Sequence, residues 1–379
     1  MDFASLGVGL KTNTFFCAMP FRLHIRTTSY SASGLLQLDP ATLTLPHEQE
    51  AAGFARQWLQ GEEQFTVQTS GSTGAPKPIA LSRVHMQASA RLTLEALGLD
   101  SGDPALLCMN PAYIGGKMMV VRAIEGALPL YLLPPSANPF PELLALGVQP
   151  LFTALVPLQL QAILADAQSL RLLQDMKAVI IGGAPVSPAL EEALQQVKAP
   201  LYSTYGMTET VSHIALRRLN GPQRQEYFVA LPQIGLETDE RGCLRISGPV
   251  TPKPVQTNDV VELLDSRRFR WLGRADNIIN SGGIKVQAER VEAETQRCLA
   301  SLGLSRRLLA GPLPDEQLGQ KVALLLEGDR LESSVEKGLL RCLSNALPPY
   351  WAPKQILYVA RLVESANGKI MRHASWQQL

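Results

Sequence analysis

Ten consecutive residues, Thr69-Ser-Gly-Ser-Thr-Gly-Ala-Pro-Lys-Pro78, gather two glycines, four hydroxyls and a lysine into one short stretch. Gly71 and Gly74 permit tight turns that bring several backbone N–H groups into one concavity. Thr69, Ser70, Ser72 and Thr73 add hydroxyls around the same space, and Lys77 adds a cation. That combination stabilises the negative oxygens of a polyphosphate. It is not a Walker A loop, because Lys77 is followed by Pro78 and Gly74 is not adjacent to it.

A second cluster, Ser203-Thr-Tyr-Gly-Met-Thr-Glu-Thr210, packs an aromatic, a glycine, hydroxyls and a carboxylate into one short loop. Tyr205 can stack on a purine, Gly206 admits close approach, and Thr208 can meet a phosphate. Glu209 is a hard oxygen ligand suited to a Mg²⁺ ion that bridges phosphates. Ile181-Gly-Gly-Ala-Pro-Val-Ser187 reads as a strand end running through glycines into a capped helix. Ligands of α/β sheets sit beyond such strand ends, where Gly182, Gly183 and Ala184 let the backbone come near.

The elements that must position these loops follow from periodicity. Residues 64–68 alternate and are β-prone, delivering the chain into the first loop. A helix over 82–97 follows, with Ser82 as its N-cap. Upstream, a short strand at 21–25 precedes a helix over 47–59 with Ala51, Phe54, Ala55 and Leu59 on one face. Continuous apolar strands at 105–109, 128–133, 151–156 and 178–181 are interleaved with helices at 157–173 and 187–197. That pattern indicates an α/β sheet covered on both faces. From Arg241 short strands and turns take over (243–246, 260–264 and 269–272), with Asp259 at the head of a strand. A helix over 288–302, a strand at 321–326 and a helix over 334–343 fit a small α+β module.

The chain of 379 residues is 46% hydrophobic, enough for a large core and two domains. With 35 basic and 34 acidic residues the net charge is +1, and no basic face argues for nucleic acid or anionic lipid. No apolar run reaches the roughly 18–20 residues of a membrane span. Residues 1–19 lack the basic n-region and apolar h-region of a signal peptide. They read as either a disordered extension or an over-long start. Cys17, Cys108, Cys243, Cys298 and Cys342 are odd in number and scattered. They give neither a disulfide framework nor a metal cluster, which favours a reducing cytosol and a cytoplasmic location.

The ten-residue loop resembles the phosphate loop of the adenylate-forming superfamily, which includes acyl-CoA and aryl-CoA ligases, luciferases and peptide-synthetase adenylation domains. Further landmarks of that family follow in order. Tyr205-Gly-Met-Thr-Glu209 matches its Tyr-Gly-x-Thr-Glu signature without departure. Thr257-Asn-Asp259 resembles its Thr-Gly-Asp, with Asn258 a departure. Gly273-Arg-Ala-Asp-Asn-Ile-Ile-Asn-Ser-Gly-Gly-Ile-Lys285 resembles its hinge, and Asn367-Gly-Lys-Ile-Met-Arg372 its terminal Gly-Lys motif. The usual upstream Pro-Lys/Arg-Thr is replaced by Val363-Glu364-Ser365.

The resemblance implies a large N-terminal domain of α/β sheets with a β-rich subdomain (1–273), and a small mobile α+β lid (274–379). It implies ATP and Mg²⁺, with coenzyme A as co-substrate. Thr69–Lys77, Gly183, Ala184, Tyr205, Gly206, Asp259 and Arg274 would bind ATP, with Asp259 on the ribose hydroxyls. Glu209 would hold Mg²⁺, and Thr208, Glu209 and Lys369 would be catalytic. Asp276 would be the pivot, and the Gly282-Gly283 turn would present Lys285 for the thiol step.

Only 68 residues precede Thr69, fewer than ordinary acyl-CoA ligases carry. With Tyr113-Ile-Gly-Gly-Lys-Met-Met119 and the stretch from Tyr205 to Arg217, this compactness looks most like the short bacterial o-succinylbenzoate–CoA ligases of menaquinone biosynthesis. Such a substrate has one carboxylate to activate and a second that stays charged, and a buried carboxylate needs a cationic or strong-donor partner. Lys117 or His213 is the expected partner, with Arg122 and Arg217 as further candidates; Gly182 and Met207 would line the same pocket. Three alternatives stay open: another aryl- or short-acyl-CoA ligase, an enzyme loading a carrier protein, and an inactive nucleotide-binding relative.

Overall fold

Side chains that are apolar on both faces of a strand can be buried only if helices cover both sides of the sheet. In the computed structural model, which describes residues 21–68, 78–364 and 370–379, Ala105–Leu107, Phe152–Leu155 and Ala178–Ile181 are buried at every position. They belong to a parallel block ordered Arg22–Ile25, Leu130–Leu132, Ala105–Leu107, Phe152–Leu155, Ala178–Ile181 and Leu201–Gly206. At Leu201–Gly206 the sheet changes character. His213–Arg218 pairs with it antiparallel, and Phe228–Ala230, Arg268–Arg274, Val255–Leu263, Cys243–Ser247 and Gly235–Thr238 continue antiparallel to the edge. With Thr28–Ser31 on the opposite edge, thirteen strands form one sheet, so the expected β-rich portion is continuous with the α/β portion. One core holds Trp58, Met86 and Phe152, and a second, on the other face, holds Leu106, Phe140 and Leu160.

The hairpin Gln64–Gln68/Pro78–Ser82 flanks residues 69–77, which lie outside the described residues. Ser82 caps the following helix, Arg83–Leu97, by accepting from the His85 N–H, and Gly98 ends it at φ 60°.

Local signals misled at several points. The helix expected over 157–173 is two helices, Pro157–Ala165 and Ala167–Gln174. Asp166 stays extended and turns its carboxylate onto the Ser169 N–H, capping the second helix at the expense of continuing the first. The 203–206 part of the expected signature loop is strand, because it pairs antiparallel with His213–Arg218 and Ser203 also pairs with Ile181. Asp259 sits in the middle of Val255–Leu263 and not at a strand head. A helix at Ile114–Glu125 was not foreseen, since its Gly115-Gly116 start suggests a turn.

A separate sheet of five strands (Ile278–Ser281, Ile284–Gln287, Leu308–Asp315, Gly319–Glu327 and Gln355–Val359) carries the helices Ala288–Ser301 and Ser333–Ala346. It has its own apolar core around Val291, Leu299, Leu324 and Leu339. Cys298 and Cys342 are bonded across these two helices, with Cα atoms 6.0 Å apart. This corrects the expectation of no disulfide: 44 residues of sequence separation hid a pair that helix packing brings together. No helix among the described residues is long and apolar enough to cross a membrane.

Candidate active site

The parallel strands end along one edge of the sheet, and the loops leaving Ala178–Ile181 and Leu201–Gly206 there carry two of the sequence landmarks. Gly182 leaves no side chain because a Cβ would stand 2.7 Å from Thr204 Oγ1, which donates to the Ile181 carbonyl. Gly206 is under the same constraint: a Cβ would lie 2.3 Å from the Ser212 carbonyl oxygen. Gly183, Ala184 and Glu209 are exposed, and Met207 and Thr208 are half-buried. Beyond the short 3₁₀ turn Thr208–Thr210, Val211 takes φ 65°, ψ −56° and is buried. For a β-branched residue that conformation costs on the order of 1–3 kcal/mol. It is held by the Ser212 N–H bond to the Thr210 carbonyl (2.7 Å) and by Thr210 Oγ1, which lies 2.9 Å from the Ser212 carbonyl.

On the antiparallel side, Asp259 is almost fully buried and both its oxygens are engaged. Tyr205 donates its phenol to Oδ2 (2.7 Å), and the Trp271 indole N–H donates to Oδ1 (3.2 Å). The Arg274 guanidinium is 3.6 Å away. Burial and the Asp259 carboxylate both push the Tyr205 phenol up, so it remains a donor. Its ring packs against Phe228 and Phe269. Trp271 was missed in the sequence. In a regular ladder Leu272 would stand opposite Val261, but a bulge at Val260–Val261 puts Trp271 there, on the face of Asp259.

Four cations were candidates for the acyl end, and the structure separates them. Arg217 is closed by Glu191, with two bonds of 3.0 Å. Lys117 lies 4.8 Å above the Phe54 ring, and burial lowers its pKa against an opposing pull from Glu50. His213 is buried, with Nε2 3.1 Å from Thr93 Oγ1. That hydroxyl gives its proton to the Ser89 carbonyl (2.9 Å), so Nε2 carries the hydrogen and Thr93 accepts. Burial, and then the charge of Arg122, hold His213 well below its ordinary pKa, so it is neutral. A neutral His213 could meet a carboxylate as a hydrogen-bond donor and not as a cation.

Arg122 is the exception. It is 2% exposed, on the same helix as Lys117. One terminal nitrogen donates to Ser212 Oγ (2.8 Å), the other faces Met119 Sδ (3.9 Å), and Nε has no partner. Among the described residues no carboxylate pairs with it, and burial alone lowers its pKa to about 9. The strained turn at Val211 is what sets Ser212 against it.

At the join between the sheets, Arg274 bonds Asp276 (2.7 Å). Burial would lower the pKa of Arg274, but Asp276 and Asp259 outweigh it and raise it. Gly282 and Gly283 turn at φ 59° and 80°, and Lys285 is exposed. Thr69–Lys77 and Lys369 lie outside the described residues. Among the described residues no three metal-ligating side chains converge. The single exposed carboxylate of Glu209 fits a Mg²⁺ that arrives on phosphate oxygens, since such ions keep several waters and need one or two protein carboxylates.

A model of the family described as AMP-binding enzyme matches residues 30–241, more than half of the chain. A probable 2-succinylbenzoate–CoA ligase of Mycobacterium tuberculosis is 30% identical over 355 residues, covering 89% of this chain and 90% of that protein. The crystal structure of an acyl-CoA synthetase (AMP-forming)/AMP-acid ligase II-like protein from Dyadobacter fermentans is 38% identical, with TM-score 0.61, covering 92% and 98%. An o-succinylbenzoate coenzyme A synthetase from Bacillus subtilis, solved with ATP and magnesium, shares the fold at 19% identity, with TM-score 0.69 over 93% and 83%. The fold, the ordered landmarks and these matches place the chain in the AMP-binding enzyme family.

Proposed function

We propose that the chain is an ATP-dependent acid–CoA ligase that activates 2-succinylbenzoate and serves menaquinone biosynthesis in the cytoplasm. The observation that carries the substrate is Arg122, a buried guanidinium without a carboxylate behind the signature loop. A monocarboxylic acid would leave that charge unanswered. A substrate with a second, permanently ionised carboxylate supplies its counter-ion. The relatives named as 2-succinylbenzoate–CoA ligases support the same acid.

In the first half the reacting carboxylate forms a bond to the α-phosphorus of ATP, and pyrophosphate leaves with the electrons of the broken P–O bond. Both partners are anionic, so the task is neutralisation and in-line placement. Residues 69–77 and the Mg²⁺ held at Glu209 would take the departing pyrophosphate. Thr208 would meet the α-phosphate, Asp259 and Arg274 the ribose, and Lys369 the ester oxygens. In the second half the thiol of coenzyme A attacks the adenylate carbonyl and AMP leaves. The division at 273/274 makes 274–379 a lid that turns about Asp276 between halves, withdrawing Lys369 and bringing in Gly283 and Lys285.

The test is pyrophosphate release with Mg·ATP and a panel of o-succinylbenzoate, benzoate, salicylate, acetate and octanoate, with and without coenzyme A. Turnover confined to o-succinylbenzoate and ending in its thioester is the expected result. Turnover with another acid keeps the mechanism and removes the substrate. Adenylation without thioester formation to coenzyme A would move the activity to a carrier protein.

A further inference from the structure

Tyr205 and Asp259 meet although three strands of the sheet lie between theirs. At roughly 4.8 Å per strand spacing, a flat sheet would hold Leu201–Gly206 and Val255–Leu263 ~19 Å apart. The antiparallel half therefore curls, and small residues make room on its inner face. Ala215 stands opposite Tyr205, and Ala230 opposite Ala215. On that face the Tyr205 ring comes within 5.1 Å of Phe269, centroid to centroid, and its phenol reaches Asp259 Oδ2.

The other oxygen is met from the neighbouring strand. Trp271 stands opposite Val261, diagonal to Asp259, only because Arg268–Arg274 carries one extra residue at the bulge. Its half-buried indole donates to Oδ1 (3.2 Å), while the Asp259 N–H donates to Thr257 Oγ1 (3.0 Å). Arg274, 3.6 Å from Oδ1, adds charge from beyond hydrogen-bond distance. The carboxylate is thus held by a donor at each oxygen and cannot turn about its own axis. An ionised carboxylate offers about four lone-pair positions, so phenol and indole leave each oxygen able to accept once more. Two acceptors on one fixed carboxylate match a vicinal diol. The indole suits this place because it only donates, and so does not compete for the hydrogens of the incoming hydroxyls.

We propose that Trp271 is a positioning residue of the nucleotide site: its indole N–H fixes the Asp259 carboxylate so that both oxygens meet the ribose diol. This rests on the reading of Asp259 as the ribose ligand. The test measures acid-dependent ATP–pyrophosphate exchange with ATP, 2′-deoxyATP and 3′-deoxyATP in the wild type, Trp271→Phe and Asp259→Asn. Preferences are taken as ratios within each enzyme, so a smaller folded fraction cancels. The wild type should prefer ATP over either deoxynucleotide by about tenfold, the scale of a hydrogen bond to a charged group. Trp271→Phe keeps an aromatic ring but loses the N–H. Its KM for ATP should rise about fivefold, with kcat and the acid KM unchanged. Its preference for ATP should shrink to about twofold, because the lost donor and the lost hydroxyl act on one carboxylate and do not add. A preference equal to that of the wild type, or a loss that falls on kcat or the acid KM, would reduce Trp271 to packing and overturn the inference. Asp259→Asn separates that failure from a failure of the ribose reading. If it keeps the full preference, or if the wild type shows none, Asp259 does not bind the diol and the inference falls with that reading.

Discussion

Arg122 and Arg217 invite a direct comparison. Both carry guanidinium groups into the body of the larger sheet, and both flank the strand His213–Arg218, one through Ser212 and one as a member of it. Arg217 meets Glu191 in a two-bond fork and stacks near Phe228. Arg122 meets a hydroxyl and a thioether, keeps one nitrogen unpaired and is the more deeply buried. A charge whose counter-ion is part of the chain holds structure. One whose counter-ion is missing from the described residues costs stability on its own, a cost that the proposed dicarboxylate substrate would offset.

The largest expected effect breaks that contrast at Arg122. Arg122→Met is similar in volume and removes an uncompensated buried charge, so thermal unfolding should show an unchanged or higher Tm. Activation of a dicarboxylate should nevertheless fall about 100-fold in kcat/KM, since truncating one side of a buried charge pair costs roughly 2–5 kcal/mol. Arg217→Met should do the reverse. It strands Glu191, 12% exposed and otherwise only 3.4 Å from Arg224, and should cost about 2 kcal/mol of stability with the acid KM little changed. Denaturant titration and steady-state kinetics on the same samples check both.

Asp259→Asn keeps an oxygen for one donor but removes the charge that Tyr205, Trp271 and Arg274 surround. Its KM for ATP should rise about tenfold with the acid KM unchanged, the loss expected for a hydrogen bond to a charged group. A shift confined to the acid would move Asp259 out of the nucleotide site.

The smallest effect is a pH dependence. His213 is neutral in the fold and its pKa is depressed from 6.5, so its contribution to stability is complete above pH 6.5 and is lost as pH falls below that value. The slope is at most about 1.4 kcal/mol per pH unit for one proton. His213→Gln should flatten the decline in Tm between pH 6.5 and pH 5 relative to the wild type. An identical decline would mean that His213 is charged in the fold.

What could be read from the sequence follows the range of the physics involved. The strands at 105–107, 152–155 and 178–181, the Ser82 cap and the helix over 83–97 are set by neighbours within a few residues, and they stand where periodicity put them. The order of landmarks along the chain supplies the side chains proposed for the nucleotide, among which Tyr205, Asp259 and Arg274 stand together in the fold. The charge state of the acyl end was not legible, because it depends on contacts across long stretches of chain. Thr93 fixes the proton of His213 from 120 residues away, and Ser212 meets Arg122 across 90. Trp271 reaches Asp259 only through a bulge, and the Cys298–Cys342 bond only through helix packing. Each is a tertiary event that no local pattern encodes.

The most direct measurement compares o-succinylbenzoate with its analogue lacking the ring carboxylate, as substrates for adenylation by the wild type and by Arg122→Met. The wild type should prefer the dicarboxylate by about 100-fold or more, as a site built around a missing charge partner rejects a substrate that lacks it. Arg122→Met should show little preference, because the group that reads the second carboxylate is gone. Equal discrimination by the two enzymes would contradict the assignment of Arg122 and return the choice of acid to other residues.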